Sequence, residues 1–295
     1  MLADSAMPQA TSSAPKDGKW KEAWQDESGK RWARNQAKTD AQLGPLGEVA
    51  LSALQLKSGE AVLDVGCGGG QTLLSIREQV GEAGRVIGLD ISSPLLECAR
   101  PLVASYANVE LLLGDASKVR PERPVDALFS RFGVMFFEDS LLAFQNLREM
   151  LRQGGRFSFL CWQGMEKNAW ATVPLDAVRS TLTDAPALEM LEPGGPGPFR
   201  FADAEALAGL LSRAGFEKVE VAAHRPELLL GGARTLEEAV DFALEIGPAA
   251  RLLAGADSET KSRARQALTQ AFAPYLKADG VQFSAATYVA TGQRR

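Results

Sequence analysis

Histidine and cysteine are scarce in this chain. Of its 295 residues one is histidine, His224, and three are cysteine, Cys67, Cys98 and Cys161. Cysteines this few, odd in number and far apart, indicate neither a disulfide framework nor a clustered metal site, so we expect no bound metal and a reducing, cytoplasmic compartment. No apolar run approaches the ~18 residues a membrane-spanning helix requires, so no membrane partner is expected. Met1 to Asp17 is small and polar, carries Pro8 and Pro15, and lacks the continuous apolar stretch of a signal peptide. We read residues 1–17 as a disordered tail. An excess of positive charge is also missing: 32 Lys and Arg stand against 37 Asp and Glu, a net charge of −5. General attraction to nucleic acid or an anionic membrane is therefore not expected. The basic residues from Lys16 to Lys38 are interleaved with Asp17, Glu22, Asp26 and Glu27 and read as a solvated amphipathic face. There is no internal repeat and no heptad run.

What is present is enough apolar material, 45% of the residues, for an ordinary globular core, and one stretch that organises the rest. "VLDVGCGGG", Val62 to Gly70, reads as a buried strand breaking into alternating glycines before a helix over Gln71 to Val80. Gly66, Gly68 and Gly70 free the backbone to turn tightly and let a ligand approach its amides. The dinucleotide fingerprint requires G-x-G-x-x-G, whereas the last position here is Gln71. Asp64, two residues before the first glycine, is suited to accept from an ammonium group or to orient the loop, and would repel a pyrophosphate. Two more strands end in acids. "VIGLDIS" ends at Asp90, suited to accept from both ribose hydroxyls, and "VELLLGDAS" ends at Asp115, suited to accept from an adenine amino group. Three such strands make a pocket for a cationic adenosine derivative.

Strand and helix alternate from here on, the pattern of an α/β fold with a parallel sheet. A fourth strand spans Val125 to Arg131, a helix spans about Ser140 to Arg152, and a fifth strand spans Arg156 to Trp162. Ser93 and Pro94 open a helix that Pro101 should kink or end early. A helix over Asp203 to Ala214, a sixth strand over Phe216 to Ala223 and a final strand over Gln282 to Thr291 complete the scaffold. A helix precedes it over Ala41 to Leu56.

The ordered motifs, together with "SRFGVMFFED" and "LREMLRQGGRFSFLCWQ", resemble the class I S-adenosylmethionine-dependent methyltransferases over roughly residues 40 to 162. Within that class they resemble the branch that includes the ubiquinone/menaquinone-biosynthesis C-methyltransferases and many small-molecule methyltransferases. This resemblance implies a Rossmann-like, seven-stranded, mainly parallel sheet with helices on both faces and a helical cap, the last strand lying antiparallel between the fifth and sixth. It implies S-adenosylmethionine as cofactor, with Asp64, Gly66, Cys67 and Gly68 at the methionine half. Asp90 and Ile91 would hold the ribose, Asp115 and Ala116 the adenine edge, and Ser130 would sit at the methionine end. Residues 18–40 become N-terminal lid helices in which Trp32 and Gln36 close over the cofactor, although the tryptophans also suit simple docking. Residues 41–295 become the methyltransferase domain, with cap insertions at about 163–200 and 231–280. The Asn/Asp-Pro-Pro-aromatic signature of DNA amino methyltransferases is replaced here by "SRFG", which disfavours nucleic acid as substrate.

Methyl transfer needs an acceptor held near the methyl group, exclusion of water and, for some acceptors, a base. His224 is the default base candidate, but the implied strand order sets it roughly 14 Å from the fourth strand at about 4.8 Å per strand. It then reads as a rim or structural histidine. Arg131 either holds an acidic substrate or pairs with a scaffold carboxylate, and Trp162 either walls the substrate pocket or belongs to the core. Cys67 and Cys161 read as small fillers. The apolar cap points to a small, largely apolar acceptor, aromatic or polyketide-like, methylated at oxygen, carbon or nitrogen. Rival readings are a nicotinamide-dependent oxidoreductase and a methyltransferase-like fold that binds the cofactor without methylating. A homodimer is compatible with the chain.

Overall fold

The computed structural model describes residues 22, 24–183 and 195–295; the tail expected at 1–17 lies outside them. An apolar run between polar turns forms β1, Ala61–Val65, buried at four of its five positions. Around it lie β2 (Arg85–Asp90), β3 (Val109–Leu113), β4 (Val125–Arg131), β5 (Leu151–Trp162), β6 (Glu217–His224) and β10 (Thr287–Gln293). They form one seven-stranded sheet in the order β3-β2-β1-β4-β5-β10-β6. Pairing is parallel from β3 to β5, and β10 runs antiparallel to both neighbours. The burial follows from this order: the edge strands β3 and β6 are half exposed, while β1, β2 and β4 are almost fully buried.

The connecting helices are α1 (Glu27–Arg34), α2 (Gln36–Leu54), α3 (Gln71–Val80), α4 (Ser93–Val103), α5 (Ser140–Met150), α6 (Ala169–Arg179) and α7 (Ala204–Arg213). Helices α2, α3 and α4 pack in succession, and α5 packs on α7. Aspartates start two of them: Asp139 accepts from the Leu142 amide at 3.0 Å and Asp203 from the Ala206 amide at 2.8 Å. A ladder of aromatic rings ties the sheet to α5, with Phe144 stacked on Phe159 at 5.8 Å and Phe159 on Phe157 at 4.5 Å.

Between β7 (Glu227–Leu229) and β8 (Leu276–Lys277) come α8 (Leu236–Glu245), α9 (Pro248–Leu252) and α10 (Ser258–Phe272). A capping box of Thr235 and Glu238 starts α8. Strands β7 and β8 flank β9 (Gly280–Ser284) in a separate three-stranded sheet. Both α9 and α10 pack on α6, so the insertions after β5 and β7 make one helical cap.

Several boundaries differ from expectation. The long helix starts at Gln36 rather than Ala41, so it runs through the boundary between lid and domain. Helix α4 runs two residues past Pro101 and ends at Val103, so the proline stands in its last turn. The fifth strand begins at Leu151, across a register shift opposite Val125 to Ala127. The expected final strand over Gln282 to Thr291 is two strands, β9 in the small sheet and β10 in the large one. Among the described residues no helix is long and apolar enough to cross a membrane, and no cluster of side chains is arranged to hold a metal ion.

Candidate functional site

The carboxyl ends of β1 to β4 open onto a cavity of about 420 Å³, at the place where open parallel sheets bind ligands. Its floor is the turn after β1. Gly66 and Gly68 have φ of +74° and +56°, and they differ in what surrounds them. A Cβ on Gly66 would lie 2.8 Å from Gly133 Cα, so the loops after β1 and β4 meet glycine to glycine. A Cβ on Gly68 would meet no protein atom within 4 Å. The turn is held to β2 by the Gly66 amide, which donates to the Leu89 carbonyl at 2.7 Å.

Asp90, the last residue of β2, is oriented by that same turn. Its Oδ2 accepts from the Gly68 amide at 2.8 Å and its Oδ1 from the Ser92 amide at 2.8 Å. Burial raises its pKa and these amides oppose the shift. At the next strand end, Asp115 Oδ1 accepts from the Ser117 amide at 2.9 Å and the Ser117 hydroxyl at 2.7 Å. Cys67 lines the cavity with a thiol that burial, then Asp90 and Asp64, push well up, so it stays protonated.

The N-terminal helices form the opposite wall. Trp24 packs edge-on against Trp32 at 5.5 Å and Phe136 at 5.4 Å, while its carbonyl accepts from the Ser92 hydroxyl at 2.7 Å. Gln36 sits directly over the glycine turn, since a Cβ on Gly69 would collide with its amide. Gln36 Nε2 donates to Asp40 Oδ2 at 2.7 Å, and Asp40 Oδ1 accepts from Arg131 Nη2 at 3.1 Å. Arg131 Nη1 donates in turn to Gln71 Oε1 at 2.7 Å. Of the two readings of Arg131, the structure contains the pairing with a scaffold carboxylate.

The far end is aromatic. Phe132 and Trp162 stack at 4.2 Å with planes 9° apart, and Trp170 lies 4.7 Å from Trp162. Phe132 has φ of +62°, an uncommon conformation for a residue with a side chain, and its amide donates to the Leu160 carbonyl at 2.9 Å. The cap closes this end with Phe242, Ile246, Pro248 and Arg251.

The cavity thus brings together Trp32, Gln36, Gly66, Cys67, Gly68, Asp90, Ile91, Asp115, Ala116, Arg131 and Trp162. Three residues expected at the site do not line it. Asp64 is 1% exposed and accepts from the Thr72 hydroxyl beneath the turn; Thr72, not Asp64, reaches the cavity. Ser130 is buried, donating to the Val65 carbonyl at 2.7 Å and accepting from the Gly133 amide at 3.2 Å, so it fastens the two loops together. His224 ends the edge strand β6, opposite Thr287 and three strands from β4. The reading of the sequence missed Trp24, Thr39, Phe132 and Arg251. Arg251 had a visible signal: it is the sole charge in the run from Ile246 to Ala256.

Residues 62–155 match the methyltransferase domain family. Aklanonic acid methyltransferase DauC of Streptomyces sp. (strain C5) is 33% identical over 118 residues, which cover 39% of this chain and 54% of that protein. Demethylmenaquinone methyltransferase of Staphylococcus epidermidis is 28% identical over 183 residues, covering 58% of this chain and 73% of that protein. The matched region therefore spans about half the length of the first relative and about three quarters of the second. Phosphoethanolamine N-methyltransferase 2 of Haemonchus contortus, solved in complex with S-adenosyl-L-methionine, matches with a TM-score of 0.57 at 15% identity, covering 94% of this chain and 60% of that one. That likeness is one of fold.

Proposed function

We propose that this chain, whose residues 62–155 match the methyltransferase domain family, is an S-adenosylmethionine-dependent methyltransferase that transfers a methyl group from that cofactor to a small, largely apolar organic acceptor, at oxygen, carbon or nitrogen. Asp90 is the observation that carries this reading. It is a buried carboxylate on the cavity, oriented by two loop amides that use part of its acceptor capacity and leave the rest for ribose hydroxyls. The open space beside Gly68 is the second point of fit, since ligand atoms approach the backbone where a side chain would stand. When bound, the cofactor supplies an electrophilic methyl group on a sulfonium.

The chain's own residues bind, orient and exclude water. In this reading Gly66, Gly68 and Gln36 hold the amino-acid half, Asp90 and Ile91 the ribose, and Asp115 and Ala116 the adenine edge. Trp24 and Trp32 cover the cofactor, and Phe132, Trp162 and Trp170 flank the acceptor. Positioning of this kind supplies much of the rate in an in-line displacement. No histidine lines the cavity among the described residues, so we assign no dedicated imidazole base.

Residues 18–40 act as the lid, and the insertions at about 163–200 and 231–280 form the part that selects the acceptor. The relatives' names, a demethylmenaquinone and an aklanonic acid methyltransferase, suit an acceptor of quinone or polyketide type. Cys67, Cys98 and Cys161 are free, which suits a reducing cytoplasm. A nicotinamide-dependent reaction is disfavoured by Gln71 at the third fingerprint position and by the methyltransferase-domain match.

Thermal unfolding with S-adenosylmethionine, S-adenosylhomocysteine, NAD and NADP, each added alone, tests the reading. A ligand at a hundred times its Kd adds about 2.7 kcal/mol to the folded state. Stabilisation by the two adenosyl compounds alone is expected. Stabilisation by a nicotinamide dinucleotide alone would overturn the assignment.

A further inference from the structure

Helix α2 borders the cavity with one face. Gln36, Thr39, Asp40, Gln42 and Leu43 all line it, at the three- and four-residue spacing that sets side chains on one side of a helix. Gln36 lies over the glycine turn, and Gln42 follows it by about 9 Å along the axis, at 1.5 Å per residue. The helix therefore reaches from the cofactor end of the cavity to the cap.

Gln42 is where it meets the cap. Its Oε1 accepts from the Gly231 amide at 2.8 Å, in the turn Leu230–Gly232 that leads into α8. A Cβ on Gly231 would lie 2.5 Å from the ring of Phe242, so this bond is made beside a ring that itself lines the cavity. Because the Gly231 amide can only donate, the oxygen of Gln42 must face it and the nitrogen must face away. Nε2 has no hydrogen-bond partner among the described residues, yet unlike Asp64 Oδ1 it is not sealed from open space. Gln42 is only 6% exposed and lines the cavity, so the space its nitrogen reaches is the cavity. Holding Gly231 accounts for the oxygen alone. A nearly buried amide with both N–H groups unpaired is costly unless a ligand completes it. Two cations of the cavity stand elsewhere: Arg131 is bonded to Asp40 and Gln71, and Lys118 lies with Leu113 and Asp115 at the end of β3.

We propose that Gln42 determines specificity for the acceptor: Nε2 donates to a carbonyl oxygen of a neutral ring compound whose ring lies against Phe242. A group that only donates is matched by one that only accepts, which a carbonyl oxygen does and a hydroxyl does not. This inference rests on the methyl-transfer reading for the word acceptor, but the donor site itself is tested separately.

The test titrates the full chain, with and without saturating S-adenosylhomocysteine, with two neutral probes that share a ring system. One is 1-tetralone, a ketone; the other is tetralin, the hydrocarbon without its oxygen. Ligand-observed NMR reads both affinities. Gln42→Met should weaken the ketone about fivefold, within the range of one neutral hydrogen bond, and leave tetralin and S-adenosylhomocysteine within about twofold. Gln42→Glu, read at pH 8, keeps an oxygen for the Gly231 amide but loses the amide donors, so it should weaken the ketone at least as much. Phe242→Leu should weaken both probes alike. Equal weakening of both probes by the Gln42 variants would overturn the proposal, since Gln42 would then only hold the cap turn. An unchanged ketone affinity, or a wild-type chain that does not bind the ketone, would overturn it too. Loss of S-adenosylhomocysteine binding with the ketone unaffected would give Gln42 to the cofactor. A wild-type chain that ignores S-adenosylhomocysteine yet distinguishes the probes through Gln42 would keep the donor site and sink the cofactor reading instead.

Discussion

Asp40 and Arg131, 91 positions apart in sequence, form an ion pair at 3.1 Å between the helix over the glycine turn and the strand that ends beside it. The pair is partly buried, with side chains 22% and 11% exposed, and the second oxygen of Asp40 accepts from Gln36. Asp40 therefore sets both the guanidinium on one side of the cavity and the amide that covers the turn.

Removing Asp40 should cost more than an exposed pair and less than a fully buried one, between about 1 and 3 kcal/mol of unfolding free energy. Asp40→Ala should also weaken S-adenosylhomocysteine severalfold as Gln36 loses its anchor, and Asp40→Ala with Arg131→Met should recover part of the stability. Denaturant titration of the four proteins of this cycle checks it; strictly additive losses would mean the pair carries no coupling.

Asp90→Asn keeps an acceptor oxygen for one loop amide and removes the charge. Two hydrogen bonds from ribose to a carboxylate, at about 1.5 kcal/mol or more each, correspond to a loss of roughly a hundredfold in S-adenosylhomocysteine affinity. Calorimetric titration measures it, with circular dichroism showing that the variant is folded. Unchanged affinity would remove Asp90 from the ribose.

The two glycines of the turn should separate folding from binding. Gly66→Ala meets Gly133 Cα at 2.8 Å and is expected to lower Tm sharply. Gly68→Ala meets no protein atom within 4 Å, so it should cost only about 1–2 kcal/mol for its positive φ, while affinity for S-adenosylhomocysteine falls at least tenfold. Were Gly68→Ala to bind normally, the ligand would not approach the turn there.

Asp64 gives a pH signature. Burial raises its pKa to about 7, against the pull of the Thr72 hydroxyl and Arg131 and with a further push from Asp90. Its ordinary value is 3.8, so between there and 7 the folded chain holds a proton that the unfolded chain has released. Stability from this site is full below the lower value, falls as pH rises, by at most about 1.4 kcal/mol per unit, and levels off above 7. Asp64→Asn should lack that slope, so its stability relative to wild type should grow from pH 4.5 to 7. Urea titrations at four pH values decide it; a constant difference would mean that Asp64 is ionised throughout.

The glycine turn and the acids that end β2 and β3 were legible because each is local: a strand, then a residue at its last position or just beyond. Asp64 illustrates the limit. It is the fourth of five residues of β1, with Val65 after it, and so lies inside the sheet rather than at its end. The partner of Arg131 could not be read, since α2 meets the end of β4 only after folding. The final strand was read as one because Ala285 and Ala286, small and apolar, offer none of the glycine or proline that usually marks a break. Arg251 was passed over because an arginine in an apolar helix gains meaning only when the helix is known to border a cavity.

The placing of β10 sets an order of assembly. Strands β3, β2, β1, β4 and β5 pair with one another using residues up to 162, so the floor of the cavity and its three strand-end loops can form as a unit. In contrast β6 joins the sheet through β10 alone, and β10 begins 63 positions beyond the end of β6. A long intervening chain must close before that pairing is rewarded, which makes it the slow, non-local step. During synthesis the strand-end floor of the cavity can therefore form before the sheet is complete, and His224 is held by a strand that is paired last.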